Sequence, residues 1–319
     1  MLETAFTRLV GLTLPLQLAG MGSILSPELA AVVSEAGGLG QITFAGLPVD
    51  VARQRLDRLR ALTARPFGVN LLIPYFDEEI FKLAAKKARV IDFFWGDPDP
   101  ALVSRVHAAG ALASWQVGSA AEADFIIAQG IEAGGHIRGG LGLLPLLSQV
   151  LDRVSVPVLA AGGIGSARSV AAVLAAGAAG VRVGTRFIAA QESNAHPDYV
   201  RALIAARAED SVRTERFGVD CPLCPATKGV LRSAIDAAEG FDGEFVAEIE
   251  LDGERRQVRR FQGTPPFKGF TGRIDAMAQY AGQSVGDVTR VQPAAEIVAE
   301  LFAGVATPTR SSEPVSASA

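Results

Sequence analysis

The chain has 319 residues, 49% of them hydrophobic and only 7% aromatic, with a formal net charge of −4. That length suits one large barrel, or a barrel carrying a smaller unit, and a core of Ala, Val, Leu and Ile suits buried parallel strands under packed helices. The charges are scattered, which excludes an evident nucleic-acid or anionic-membrane surface, and no apolar run reaches the roughly 18 residues needed to span a bilayer.

In chain order, Val10–Gly22 is apolar but interrupted by Pro15 and Gln17 and preceded by both Glu3 and Arg8. It reads as a buried first strand rather than a signal core. One pattern then recurs: a Ser or Asp opens a helix, Ala-Gly closes it, and a short strand follows. Ser26, Pro27 and Gly37 mark one copy, Asp99, Pro100 and Gly110 a second, and Ser166 with Gly177 a third. The strand candidates are Leu16–Gly20, Leu39–Phe44, Gly68–Ile73, Val90–Trp95, Leu112–Val117, Asp124–Ala128, Pro157–Ala161 and Gly180–Val183. Strands alternating with helices predict an α/β fold, a (β/α)8 TIM barrel. A doubly wound open sheet is the alternative, but no strand–GxGxxG–helix fingerprint follows the first strand. The fifth crossover, Gly118–Ala123, is unusually short, since parallel connections normally take a dozen or more residues.

The texture changes after the eighth strand. A helix over Pro197–Glu209, a CxxC loop, a helix near Lys228–Ala238 and a hairpin about "LDGE" predict an inserted α+β cap, residues 197–286, between a barrel of residues 1–196 and a final barrel helix within 287–303. The small, polar residues 304–319 are expected to be a disordered tail. Cys221 and Cys224 are the only cysteines. A zinc site needs four ligands and no second pair exists, so the expectation is structural or unpaired thiols in a reducing cytoplasm, with no metal.

Barrel enzymes work at the C-terminal ends of their strands. Those ends carry Ala19, Gly20 and Met21, then Asn70, Gln116, the stretch Gln129–His136, "AGGIGS" and "VGTRF". Gly162 and Gly163, with Gly184 and Thr185, leave bare backbone at neighbouring strands where a phosphate can approach; the plainer reading is tight turns. His107 and His196 read as structural. His136 differs, because Gly134 and Gly135 bare the backbone beside it, so its imidazole could act as acid, base or donor. Glu132 either orients this loop or serves as a cap or ion-pair partner. Arg138 either draws an anion to the mouth or is a solvated arginine. "GTPPFKGFTG" and Tyr280–Gln283 are candidate pocket walls, and Lys228 and Lys268 read as solvated lysines before anion contacts.

"AQGIEAGGHIRG", "VPVLAAGGIGS", "VRVGTRFIAAQESNAHPDY" and "YAGQSVGDV" resemble the nitronate monooxygenase (2-nitropropane dioxygenase) family from about Leu14 to Phe302. Close relatives of that family include FMN-dependent enoyl-ACP reductases. The resemblance implies an FMN-bearing TIM barrel with an inserted substrate domain. In it Ala19, Gly20 and Met21 lie near the flavin, Asn70, Gln116 and Gln129 hydrogen-bond it, Gly134 and Gly135 approach it, and Gly162, Gly163, Gly184 and Thr185 hold its phosphate. His136 matches the family's active-site histidine. Gln116 stands where some members have lysine, so a positive charge near that part of the flavin is expected to be missing.

The implied activity is oxidation of an alkyl nitronate such as propionate 3-nitronate, or of a nitroalkane, by O2 to a carbonyl compound and nitrite. The alternatives are an FMN- and NAD(P)H-dependent enoyl-thioester reductase, and a non-redox phosphate-binding barrel acting as isomerase or ligand-binding protein. The expected setting is a cytoplasmic enzyme with small-molecule partners, and a homodimer is compatible with it.

Overall fold

Helix starts follow the capping residues closely. The Ser26 hydroxyl accepts the Leu29 N–H (2.9 Å) to open α2 (Pro27–Glu35), and the Asp99 carboxylate accepts the Ala101 N–H (2.8 Å) to open α5 (Pro100–Ala108). The computed structural model describes residues 2–116, 123–251 and 253–306. The strands of the main sheet are β1 (Leu16–Leu18), β2 (Gly40–Thr43), β3 (Phe67–Leu72), β4 (Val90–Phe94), β5 (Leu112–Gln116), β6 (Phe125–Gln129), β8 (Val158–Ala161) and β9 (Gly180–Val183). They form one parallel eight-stranded sheet in the order β1-β9-β8-β6-β5-β4-β3-β2. Leu39 joins its two ends: its N–H donates to Leu16 O (2.7 Å), and Leu18 N–H donates to Leu39 O (3.0 Å). The result is a (β/α)8 barrel, with α3 (Val49–Leu62), α4 (Glu78–Ala85), α6 (Leu143–Leu151) and α7 (Ala167–Ala175) on its outside beside α2 and α5.

Val10–Gly22 is not one strand. Val10 ends α1 (Ala5–Val10), and the strand begins only at Leu16. Phe6 and Val10 of that helix pack with Leu39, Val90, Phe125 and Leu159, and the Phe6 ring meets Phe125 edge-on at 4.9 Å. The helix therefore seals the end of the barrel where the strands begin. The short fifth crossover lies mostly outside the described residues, but its return is pinned. Asp124 donates its N–H to Ala113 O (3.0 Å), while its carboxylate accepts the Ala113 N–H (2.7 Å) and meets His107 (2.8 Å). Side chain and backbone of one residue thus fasten β6 beside β5, in the register Ser114↔Phe125.

After β9 come α8 (Thr185–Ile188) and α9 (Pro197–Ala205). α9 is shorter than its pattern suggested; Ala208–Asp210 forms a separate 3-10 turn. The expected helix near Lys228–Ala238 is also corrected: Thr227–Leu231 is a strand, β11, and only Arg232–Glu239 is helical (α10). β11 is paired on both sides, with β10 (Ser211–Thr214) and with β7 (Gly135–Ile137) from the loop after β6. Pairing across some ninety residues overrode a weak local pattern. The expected hairpin is present as β12 (Phe245–Leu251) and β13 (Glu254–Arg259). The last helix, α11 (Ala294–Leu301), packs on α2 and α7. Residues 307–319 of the expected tail lie outside the described residues. No helix among the described residues is long and apolar enough to cross a membrane.

Candidate active site

The barrel interior holds a polar network. The Arg182 guanidinium on β9 meets the Asp92 carboxylate on β4 at 2.5 Å, with 5% and 0% of the two side chains exposed. Arg182 also donates to Gln17 Oε1 (3.0 and 3.1 Å) and Gln116 Oε1 (3.1 Å), and Asp92 accepts from Asn70 (2.8 Å), Ser114 (2.7 Å) and Gln41 (3.1 Å). Every donor and acceptor around this ion pair comes from a barrel strand, so the network fixes side chains under the catalytic rim. A cation does stand beside Gln116, the Arg182 guanidinium, with its charge balanced by Asp92.

Above the network lies a cavity of about 360 Å³. It is lined by all the residues expected at the site: Ala19, Gly20 and Met21 after β1, Asn70 on β3, Gln116 on β5, Gln129 on β6, Gly134, Gly135 and His136 around β7, Gly162 and Gly163 after β8, and Gly184 and Thr185 after β9. Arg182, Cys221, Thr264, Tyr280 and Gly282 line it as well, so Gly263–Pro265 and the Tyr280 stretch form part of its wall.

Among the described residues, two atoms here are buried without a hydrogen-bond partner: Gln116 Nε2 and Gln129 Oε1. Their orientation follows from their neighbours. Gln116 Oε1 is held by Arg182, and Gln129 Nε2 donates to the His136 carbonyl (3.2 Å). One orphan donor and one orphan acceptor on adjacent strands match a planar heterocycle with both functions, since buried polar groups otherwise find partners. Gly162 and Gly163 have φ of +104° and +68°, which L side chains avoid, and the N–H groups there lead into α7. A Cβ on Gly134 would fall 2.6 Å from Gly282 N, so that glycine lets the 281–282 segment close against the loop after β6. The Thr185 hydroxyl accepts the Gly282 N–H (3.0 Å), which leaves its proton to donate. The Asn70 amide is already tied to Asp92 and Thr43.

His136 sits between Trp95 and Tyr280, at ring-centroid distances of 5.9 and 5.8 Å. Burial, aided by the nearby Lys228 charge, lowers its pKa to about 4, so the imidazole is neutral near pH 7. Lys228 is fully buried rather than solvated. Its backbone pairs with His136, and its ammonium donates to Ala226 O (2.9 Å) and forms no salt bridge among the described residues. The cysteines are free thiols, as expected, and the fold brings them to the chemistry: Cys221 Sγ lies 3.2 Å from His136 Nε2, and Cys224 Sγ lies 2.6 Å from Cys221 Sγ. Nothing local in the sequence signals this meeting; it follows from the β7–β11 pairing.

The remaining candidates fall outside the cavity. Glu132 accepts the Leu143 N–H with both oxygens (3.0 and 3.1 Å) and caps α6. Arg138 is spent on Gly96 O (2.7 Å) and Asp97 (3.2 Å). His196 caps α9, and the exposed Lys268 donates to Ser193 O (2.6 Å).

The nitronate monooxygenase family model matches residues 3–79 and 73–304 of the chain. A relative from Rhodococcus jostii, (3aS,4S,5R,7aS)-5-hydroxy-7a-methyl-1-oxo-octahydro-1H-indene-4-carboxyl-CoA dehydrogenase, is 39% identical over 216 residues, which are 65% of this chain and 60% of that protein. Among solved structures, FabK from Thermotoga maritima matches with a TM-score of 0.75 at 28% identity, over 95% of this chain and 96% of that one. The nitroalkane oxidase of Streptomyces ansochromogenes matches with a TM-score of 0.73 at 29% identity, over 95% and 98%.

Proposed function

The chain belongs to the nitronate monooxygenase family, and from that premise we propose that this oxidoreductase is FMN-dependent and oxidises an alkyl nitronate, such as propionate 3-nitronate, by O2 to a carbonyl compound and nitrite. Residues fit for holding FMN are present. The backbone at Gly162, Gly163 and Gly184 with the Thr185 hydroxyl would hold the phosphate. Ala19, Gly20, Met21, Gly134 and Gly135 would let the ring lie close, while Gln116 and Gln129 would hydrogen-bond it, joined by Asn70 through the lone pair its oxygen keeps. When bound, FMN supplies the electron-accepting chemistry. Residues 197–286 would act as the cap that closes over the substrate.

The observation that carries the choice of substrate is the neutral His136 imidazole within Coulombic reach of the buried Lys228 ammonium. A base with a pKa of about 4 is poorly matched to removing the carbon-bound proton of a nitroalkane at neutral pH. A nitronate has already lost that proton. The imidazole N–H can donate to its oxygens, and the ammonium favours its charge. The test is anaerobic mixing of the flavin-loaded enzyme with propionate 3-nitronate. Bleaching of the oxidised-flavin absorbance is expected, at least tenfold slower in His136→Ala. No bleaching with flavin present would end this reading.

A second reading keeps the flavin and changes the substrate to an enoyl thioester reduced with NAD(P)H. The similarity to FabK and the CoA ester in the name of the Rhodococcus relative favour it. Oxidation of NAD(P)H by the flavin-loaded enzyme separates the two readings.

A further inference from the structure

The loop between β10 and β11 carries both cysteines. Cys221 lines the cavity and Cys224 stands behind it, its sulfur 2.6 Å from that of Cys221. Both are free thiols, and both are half-buried. We propose that Cys221 and Cys224 are a redox-active dithiol in the wall of the active-site cavity, oxidised by small disulfides to an intramolecular disulfide, and that its state sets the hydrogen bond made by His136. The second half rests on the reading of His136 as the active-site imidazole; the first does not.

The exchange balances as follows. The Cys221 thiolate attacks one sulfur of a disulfide R–S–S–R, forming a mixed disulfide and releasing one thiolate. The Cys224 thiolate then attacks the Cys221 sulfur, closing the ring and releasing the second. The two protons of the cysteine thiols end on the two released thiols, so the protein loses two electrons and two protons and R–S–S–R gains them. Cys221 attacks first because it is the sulfur that faces the cavity. In the reduced state its S–H is a donor and its sulfur an acceptor for His136 Nε2, whereas a disulfide sulfur has no proton to donate.

The same three residues bring their ligating atoms within 4.8 Å of one another, a spacing a soft metal ion could use. Two features favour the disulfide. A structural zinc site takes four protein ligands, and only three gather here among the described residues. The Lys228 ammonium also opposes a second cation. Burial, together with the Cys224 contact, pushes the Cys221 thiol up to about 11. The titratable groups around it are Cys224, His136, Lys228, Tyr75 and Tyr280, and both tyrosines are raised above their ordinary range, chiefly by burial. Exchange is therefore slow at neutral pH and quickens about tenfold per pH unit up to about pH 10.

The purified enzyme as isolated, reduced and desalted, is equilibrated in glutathione buffers of graded ratio. It is then quenched in acid, tagged with a maleimide and weighed by mass spectrometry. The expected result is one step from doubly tagged to untagged protein with no bound glutathione. Cys224→Ser should trap glutathione on Cys221, and Cys221→Ser should react at least tenfold more slowly. The His136 ring ¹⁵N signals should move on oxidation of the wild type and stay fixed in Cys221→Ser. Two thiols that remain taggable in pure oxidised glutathione would overturn the proposal, as would stable mixed disulfides in the wild type or a stoichiometric metal ion released on tagging. Unmoved His136 signals in a fully oxidised protein would overturn its second half. Because tagging does not depend on flavin absorbance, failure of the FMN reading leaves this result standing.

Discussion

Arg182 and Asp92, ninety residues apart in sequence, meet at 2.5 Å in the barrel interior, and through Arg182 the pair holds the oxygen of Gln116. Removing one partner leaves the other charged and buried. Arg182→Leu should therefore cost about 3–5 kcal/mol of unfolding free energy. Arg182→Leu combined with Asp92→Leu should recover part of that loss. Denaturant titrations of both variants check it, and a single-variant loss below about 1 kcal/mol would contradict the role assigned to the pair.

The orphan atoms of Gln116 and Gln129 predict a ligand effect. Gln116→Leu or Gln129→Leu should weaken FMN binding to apo-protein by roughly 2- to 12-fold each, the worth of about 0.5–1.5 kcal/mol for a hydrogen bond. Quenching of FMN fluorescence on titration with apo-protein measures this directly. Unchanged affinity in both variants would mean that neither amide faces the ring.

Gly134 packs against the backbone of Ala281 and Gly282, whereas Gly140 has open space where a Cβ would be. Gly134→Ala should thus lose about 1–3 kcal/mol and retain less flavin, while Gly140→Ala should stay within about 0.5 kcal/mol of wild type. Thermal melts with and without FMN compare the two. Equal effects would show that the closure of the 281–282 segment on the barrel loop does not depend on that glycine.

His136 gives a pH dependence with a definite sign. Its pKa is about 4 in the folded protein and 6.5 when unperturbed. The unfolded chain therefore binds the proton first as pH falls. The stability tied to the neutral imidazole is complete above about pH 6.5 and is lost as pH drops towards 4. Its size is on the order of 2–3 kcal/mol once solvent screening is allowed for. Between pH 7 and pH 4.5 the wild type should lose that much more stability than His136→Gln, as read from urea unfolding. The acid limb of the nitronate reaction should likewise fall near pH 4 rather than 6.5.

Much of the barrel was legible because its signals are local. Ser26, Asp99 and Ser166 open helices, glycines end them, and short, largely apolar runs follow, so all eight strands lie within a few residues of their expected positions. The rim residues could be collected for the same reason, since each lies on a barrel strand or in the loop that follows one. What escaped depends on contacts distant in sequence. The strand Thr227–Leu231 has no pattern of its own and exists through pairing with Gly135–Ile137. That pairing buries Lys228 and carries Cys221 to His136, 85 residues away. The Arg182–Asp92 pair was hidden likewise, because each residue alone reads as an ordinary strand position.

The visible absorption spectrum of the purified protein, with the flavin released on denaturation identified and counted, tests the central claim most directly. The account predicts the bands of an oxidised flavin, FMN at about one per chain, and depletion when Gln116 and Gln129 are both replaced by leucine. A colourless protein that takes up no FMN, yet still binds a sugar phosphate, would contradict it.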